Sequence, residues 1–240
     1  MININSGAGK IILPVFLALL ISPCSHAQNV EALMKKVRLK LELVNDYKAD
    51  GLLKTDVPFI KVPESKVSVF YKRPDKFKIK REQGISIVPK GGFSMNLNSL
   101  FAGNDYTMIA GGMAQIGGKP VIIIKLLPLK EDNDVVLSTL YIDEKEALVR
   151  KATTTTKNNG TYEMEMFYGK FARWGLPDKV IFSFNTKEYK LPKGVTFEYE
   201  TDEKPAAASQ SKNQKGVVEI TYQNYFINKG IGDNVFNVTK

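Results

Sequence analysis

Lys66-Val67-Ser68-Val69-Phe70-Tyr71-Lys72-Arg73-Pro74-Asp75-Lys76-Phe77-Lys78-Ile79-Lys80-Arg81 is the stretch on which the fold turns. Val67, Val69 and Tyr71 alternate with Ser68, Phe70 and Lys72, and Phe77 and Ile79 alternate with Lys78 and Lys80. Successive side chains of a strand point to opposite faces, so a period of two marks a strand with one buried and one wet face. Arg73-Pro74-Asp75 interrupts the pattern with a proline, which has no N–H to give a sheet ladder. The stretch therefore predicts two strands joined by a short polar link. Continued alternation would set Arg73 on the same face as Val67, Val69 and Tyr71. An inward guanidinium beside an apolar wall would then need carbonyl partners.

The same period recurs along the chain. Tyr162, Met164, Met166 and Tyr168 alternate with Glu163, Glu165 and Phe167, and Val180, Phe182 and Phe184 alternate with Ile181, Ser183 and Asn185. Phe197 and Tyr199 alternate with Glu198 and Glu200. Lys90-Gly91-Gly92, Gly111-Gly112, Gly117-Gly118, Asn158-Asn159-Gly160 and Pro192-Lys193-Gly194 read as turns between strands. Asp143-Glu144 reads as the turn after the strand ending Tyr141-Ile142. Regularly spaced strands with short turns predict one curved antiparallel sheet, a half-barrel that does not close.

Before the strands, Val30, Leu33, Met34, Val37, Leu41 and Val44 recur at helical spacing among lysines. They predict an amphipathic helix over about Val30–Val44 lying on the concave side. Gly92–Tyr106 breaks the rhythm, with room for a short helix around Met95–Phe101. Residues 201–216 hold no apolar side chain larger than alanine and read as a long loop. Val217–Tyr222 then reads as a strand added after the rest.

Residues 1–27 read as an export signal. Lys10 precedes the apolar run Ile11–Ile21, too short to span a bilayer as a helix, and Ser25-His26-Ala27 supplies a small-x-small cleavage pattern. The expected organisation is a signal over 1–27 and one domain over 28–240, periplasmic after export. Acylation of Cys24 is the rival fate. Cleavage before Gln28 leaves 213 residues with no cysteine and no histidine, because Cys24 and His26 are the sole examples. That excludes cysteine and histidine nucleophiles, disulfides and zinc sites built on those residues.

No other chemistry fills the gap. The carboxylates Asp132, Asp134, Asp143, Glu144 and Glu146 lack calcium-loop spacing, and no pair of them marks a glycosidase cleft. The glycine pairs form no phosphate loop. No catalytic residue, metal or cofactor is expected. The whole chain carries a net charge of +9, and loss of Lys10 with the signal leaves +8. Its lysines are scattered, which argues against nucleic acid and suits an acidic partner or an anionic membrane face. Methionines such as Met164 and Met166, beside Phe77, Phe182 and Phe184, could form a soft surface for an irregular apolar ligand.

Several landmarks fall in an order that resembles the LolA family of periplasmic lipoprotein carriers. They are the strand–Lys72-Arg73-Pro74–Phe77 sequence, Asp46–Gly51 after a helix, Leu126–Lys130, Leu140–Asp143, Asn159–Tyr162, Gly175-Leu176-Pro177 before Val180–Phe184, and Pro192–Val195. The chain departs from the family at Ile87–Gly92 and where it runs on past Val195. The resemblance implies an unclosed barrel whose helices lid an apolar cavity. It implies acyl chains of lipoproteins or related lipids as ligand, an inner-membrane donor and an outer-membrane acceptor as partners, and a monomer. The lid-contacting arginine would be Arg73, and the apolar wall Val67, Val69, Tyr71, Phe77, Ile79, Met164, Met166, Phe182 and Phe184. A lipid-sensing or protein-interaction module of the same fold is the alternative function.

Overall fold

A computed structural model describes residues 25–57, 60–81, 106–130, 134–158, 160–185 and 215–237. Among these residues one α-helix, α1 (Ser25–Leu41), leads into ten strands: β1 (Asp46–Val57), β2 (Ile60–Lys72), β3 (Lys76–Arg81), β4 (Tyr106–Ile116), β5 (Lys119–Pro128), β6 (Val135–Asp143), β7 (Leu148–Thr156), β8 (Gly160–Phe167), β9 (Lys179–Asn185) and β10 (Lys215–Ile227). All pair antiparallel in one sheet, ordered β3-β2-β1-β10-β9-β8-β7-β6-β5-β4. β3 and β4 follow one another in the chain yet form opposite edges, and among the described residues they do not pair. The sheet is an open half-barrel, as the strand pattern predicts.

The helix packs where its stripe directs it. Val30, Leu33, Met34 and Val37 are buried in one core with Val67, Val69, Ile124, Leu140, Phe182 and Ile220. Burying each such side chain stabilises the fold by about 1.5–3 kcal/mol. The helix stops at Leu41, three residues earlier than its apolar spacing suggests, and Val44 is buried from the connection to β1.

Three expectations need correction. Gly111-Gly112 is no turn. It lies inside β4, where the register slips between Ala110 and Gly112, and Gly112 has φ +89°. Two adjacent glycines serve a bulge as well as they serve a turn, and sequence alone does not separate the two. Gly117-Gly118 does form the β4–β5 turn, with positive φ at both residues.

The strand expected through Val217–Tyr222 is present, but the loop expected over 201–216 reaches too far into it. As β10 it lies between β1 and β9, at the middle of the sheet. It also starts earlier than expected, so Lys215 and Gly216 belong to the sheet and not to the loop. Gly216 is opposite Phe184, and a Cβ there would stand 2.6 Å from the Phe184 ring. The glycine thus makes room for an aromatic side chain to lie across the neighbouring strand.

Arg73 does not face inward. β2 ends at Lys72 and the chain turns over residues 73–75, so the alternation stops before reaching it, and Arg73 is exposed. The expected helix at Met95–Phe101, the strand at Phe197–Glu200, the turns at Lys90–Gly92 and Pro192–Gly194, the signal segment up to Cys24 and the loop over 201–214 lie outside the described residues.

The chain end ties the helix–sheet joint together. Asn228 donates from Nδ2 to the Leu43 carbonyl (2.8 Å), and its Oδ1 accepts from the Asn45 N–H (2.7 Å). The buried Asp46 carboxylate accepts from the N–H groups of Lys229 (3.0 Å) and Gly230 (3.1 Å). Further on, Asp233 pairs with Lys72 (2.7 Å) and Lys76 (3.0 Å), and Lys78 donates to the carbonyls of Val235 and Asn237, each at 2.8 Å. By register Lys72, Lys76 and Lys78 share the outer face of β2 and β3, so the terminal segment crosses the convex side there.

Candidate functional site

The concave face is built from alternate residues of neighbouring strands. Val69 lies opposite Ile79 and Tyr71 opposite Phe77 across β2–β3, while Met164 lies opposite Phe182 and Met166 opposite Val180 across β8–β9. All nine apolar residues singled out in the sequence, Val67, Val69, Tyr71, Phe77, Ile79, Met164, Met166, Phe182 and Phe184, are buried in a single core beneath α1. They belong to two walls on either side of β1 and β10, which the linear sequence does not reveal.

The two ends of that face differ. At one end Tyr162, Phe182 and Phe184 stack, with ring centroids 5.4 and 5.5 Å apart. At the other, Tyr47 meets Tyr71 (5.3 Å) and Tyr225 (5.2 Å), and Tyr225 meets Tyr222 (5.1 Å) and Phe171 (4.8 Å). Tyr222 and Tyr225 reach the same face despite their odd spacing because Gln223 is left unpaired between Gly51 and Asp50. The bulge restores the inward direction three residues on. Burial pushes the hydroxyls of Tyr47, Tyr222 and Tyr225 up, so they stay neutral. The Tyr225 hydroxyl donates to the Pro177 carbonyl at 2.8 Å. This end can offer hydrogen bonds without charge. Tyr222 and Tyr225 escaped the sequence reading because the bulge at Gln223 hides the period.

The α1 helix is fixed unevenly. Val30, Leu33, Met34 and Val37 hold its first part by apolar burial. Among its described side chains, the hydrogen bonds come from Arg38 and Lys40, in its last turn. Arg38 donates to the Tyr106 hydroxyl and its guanidinium stands 5.3 Å from that ring, while Lys40 donates to the Glu146 carbonyl. Arg73 donates to the Glu42 carbonyl at 3.3 Å and lies 3.5 Å from Asn45 Oδ1, and its own backbone N–H bonds to the Asn45 carbonyl at 2.8 Å. Arg73 therefore touches the connection just beyond α1, from the surface. A cation there also suits the negative end of a helix dipole.

The turn that receives Lys40 is stiffened from below. Asp143 is buried and pairs with Arg150 (2.8 Å), which also lies 3.6 Å from Glu146. Arg150 is the extra residue of a bulge between Tyr141 and Ile142. Burial works to raise the Asp143 carboxyl. The hydrogen bonds from Arg150 and the Glu146 N–H, with the charges of Arg150 and Lys119, outweigh that and hold it below the ordinary carboxylate value. Among the described residues no group of three Cys, His, Asp or Glu could hold a metal ion.

Among the described residues, an antiparallel half-barrel with an apolar concave face and one amphipathic helix packed in its core defines a class of fold. Solved structures place the chain within that class. A domain assigned to outer-membrane lipoprotein sorting from Vibrio parahaemolyticus superposes with a TM-score of 0.55 at 8% identity, over 86% of this chain and 95% of that one. A DUF1329 family protein from Desulfovibrio piger gives 0.53 at 11% identity, over 87% and 97%. A LolA superfamily protein from Nitrosomonas europaea gives 0.51 at 10% identity, over 85% and 96%. No protein-family model matches the sequence, and no curated protein does. The chain shares the fold of these three structures, a LolA-like half-barrel. At these identities the likeness carries the fold.

Proposed function

We propose that this protein is a periplasmic carrier that shields acyl chains of lipoproteins or related lipids on their way towards the outer membrane. The observation that carries the reading is the concave face itself. An apolar wall from β2, β3, β8 and β9 shares one core with an amphipathic helix, and among the described side chains the polar ties of that helix lie from Arg38 onwards. In this reading α1, tied through Arg38 and Lys40, moves aside and lets a chain displace Val30, Leu33, Met34 and Val37. The swap exchanges apolar contact for apolar contact, so it needs little net free energy. A bound chain gains about 0.8 kcal/mol per buried CH₂, which favours chain length over headgroup identity.

Export fits this role. Signal cleavage before Gln28 would remove the first three residues of α1 and leave the buried Val30, Leu33, Met34 and Val37 in place. The partners in this reading are an inner-membrane donor and an outer-membrane acceptor, either of which would act by loosening α1. The test is native mass spectrometry of protein released gently from the periplasm, with uptake of a fluorescent fatty acid by the purified chain. Adducts of lipid mass and saturable uptake are expected. A chain that is always empty and takes up nothing would overturn the proposal.

Arg73→Leu probes the helix tie. Its side-chain contacts are long and exposed, so the loss should be about 0.3–1 kcal/mol. Thermal stability should barely move, and lipid exchange should quicken by about two- to fivefold. Stopped-flow release of the fluorescent fatty acid reads this directly. Unchanged exchange would remove Arg73 from the mechanism.

A further inference from the structure

We propose that Arg81 is the polar end of a binding site on the concave face, and that it takes the carboxylate of a single-chain fatty acid. The inference rests on the carrier reading and names a ligand class for it. Arg81 is the last residue of β3 and lies opposite Val67, so it shares the face of Val67, Val69, Phe77 and Ile79. Its Nε and Nη2 are closed off from solvent and have no hydrogen-bond partner among the described residues. The residue as a whole is half-buried. Other guanidiniums near the interior have acceptors: Arg150 binds Asp143, and Arg38 meets the Tyr106 hydroxyl.

A guanidinium cannot shed its proton, so burial cannot neutralise it. Buried donors on a charged group with nothing to bind are costly, and an acceptor brought in by a ligand removes that cost. The two unpartnered nitrogens also define the ligand's shape. Nε–H and Nη2–H leave one edge of the guanidinium side by side, the edge that holds both oxygens of a carboxylate. Arg81 lies opposite Val67, at the end of β3 away from the link at residues 73–75. A head bound to Arg81 would leave its chain beside Val67, Val69 and Ile79. An ester offers one carbonyl and no charge, and it makes the weaker partner.

The experiment uses the full mature chain with Nile red, a neutral reporter of apolar sites, displaced by palmitate or by methyl palmitate. On the unaltered protein, palmitate should displace at about tenfold lower concentration than its ester, the effect of a charge-assisted pair. In Arg81→Gln the two should displace alike, and in Arg81→Lys the preference should fall between. Equal displacement by acid and ester on the unaltered protein would overturn the assignment, as would an undiminished preference in Arg81→Gln. If Arg81→Gln does not fold, the acid-to-ester ratio of the unaltered chain and of Arg81→Lys decides. Should neither compound displace the reporter, the carrier reading itself fails and takes this assignment with it. Displacement by both without preference sinks the assignment alone.

Discussion

A chain ended at Glu200 is expected not to fold. Such a chain loses β10, which pairs with β1 along Tyr47–Asp56 and with β9 along Lys179–Asn185. No hairpin can close that gap, because the strands on its two sides come from opposite ends of the chain. A three-stranded piece, β1–β3, and a six-stranded piece, β4–β9, would each show a new unpaired edge. The core loses Ile220, which is fully buried, and Tyr222 from the tyrosine cluster. Truncating a buried Ile costs about 2–5 kcal/mol, and whole domains hold only about 5–15 kcal/mol. The removal also takes away Asn228, Lys229 and Gly230, which secure the α1–β1 joint. Circular dichroism melting is the measurement, with no cooperative transition expected. A truncated chain that melts cooperatively near the temperature of the intact protein would show that β10 is dispensable. The milder Ile220→Ala should lower stability by about 2–5 kcal/mol in a urea titration without changing the fold.

That role for β10 shows where the sequence is legible and where it is not. The face of α1 and the inner faces of β2, β3, β8 and β9 follow from spacing alone, since burial imposes the period residue by residue. Val30, Leu33, Met34 and Val37 are buried as their spacing requires. The place of β10 depends on pairing between residues far apart in the chain, and no local pattern encodes it. Its alternation is also broken by the bulge at Gln223, which conceals that Tyr222 and Tyr225 look the same way.

The two arginines of the opening stretch carry the same lesson. Arg73 is prominent because a proline follows it, yet that link takes it out of β2 and onto the surface. Arg81 lies two residues after Ile79 in an unbroken strand, and the period of Phe77 and Ile79 already sets it inward. Counting through β3, rather than stopping at the motif, is the signal that finds it.

Replacing Arg150 by Met should cost about 3–5 kcal/mol, because it leaves the Asp143 carboxylate buried without its charged partner. The side chains of Arg150 and Asp143 are only 10% and 9% exposed, so water cannot screen the loss. The pH dependence should change with it. In the intact protein the Asp143 carboxyl is held below its ordinary value of 3.8. A depressed acid contributes stability above its unfolded value and loses it as the pH falls through the lower, folded value. Without Arg150, burial is the largest influence left on that carboxyl, and it favours the protonated form. The acid-induced loss that Asp143 supplies should therefore disappear from urea midpoints measured downwards from pH 7. Adding Asp143→Leu to Arg150→Met should recover most of the stability, since an apolar pair needs no charge balance. The consequence reaches the helix, because the turn carrying Asp143 and Glu146 presents the carbonyl that receives Lys40. A loosened turn should quicken lipid exchange in Arg150→Met more than Arg73→Leu does, and the doubly apolar variant should slow it again. A variant with the intact protein's acid sensitivity and a loss under about 1 kcal/mol would mean that the pair is solvated and fastens nothing.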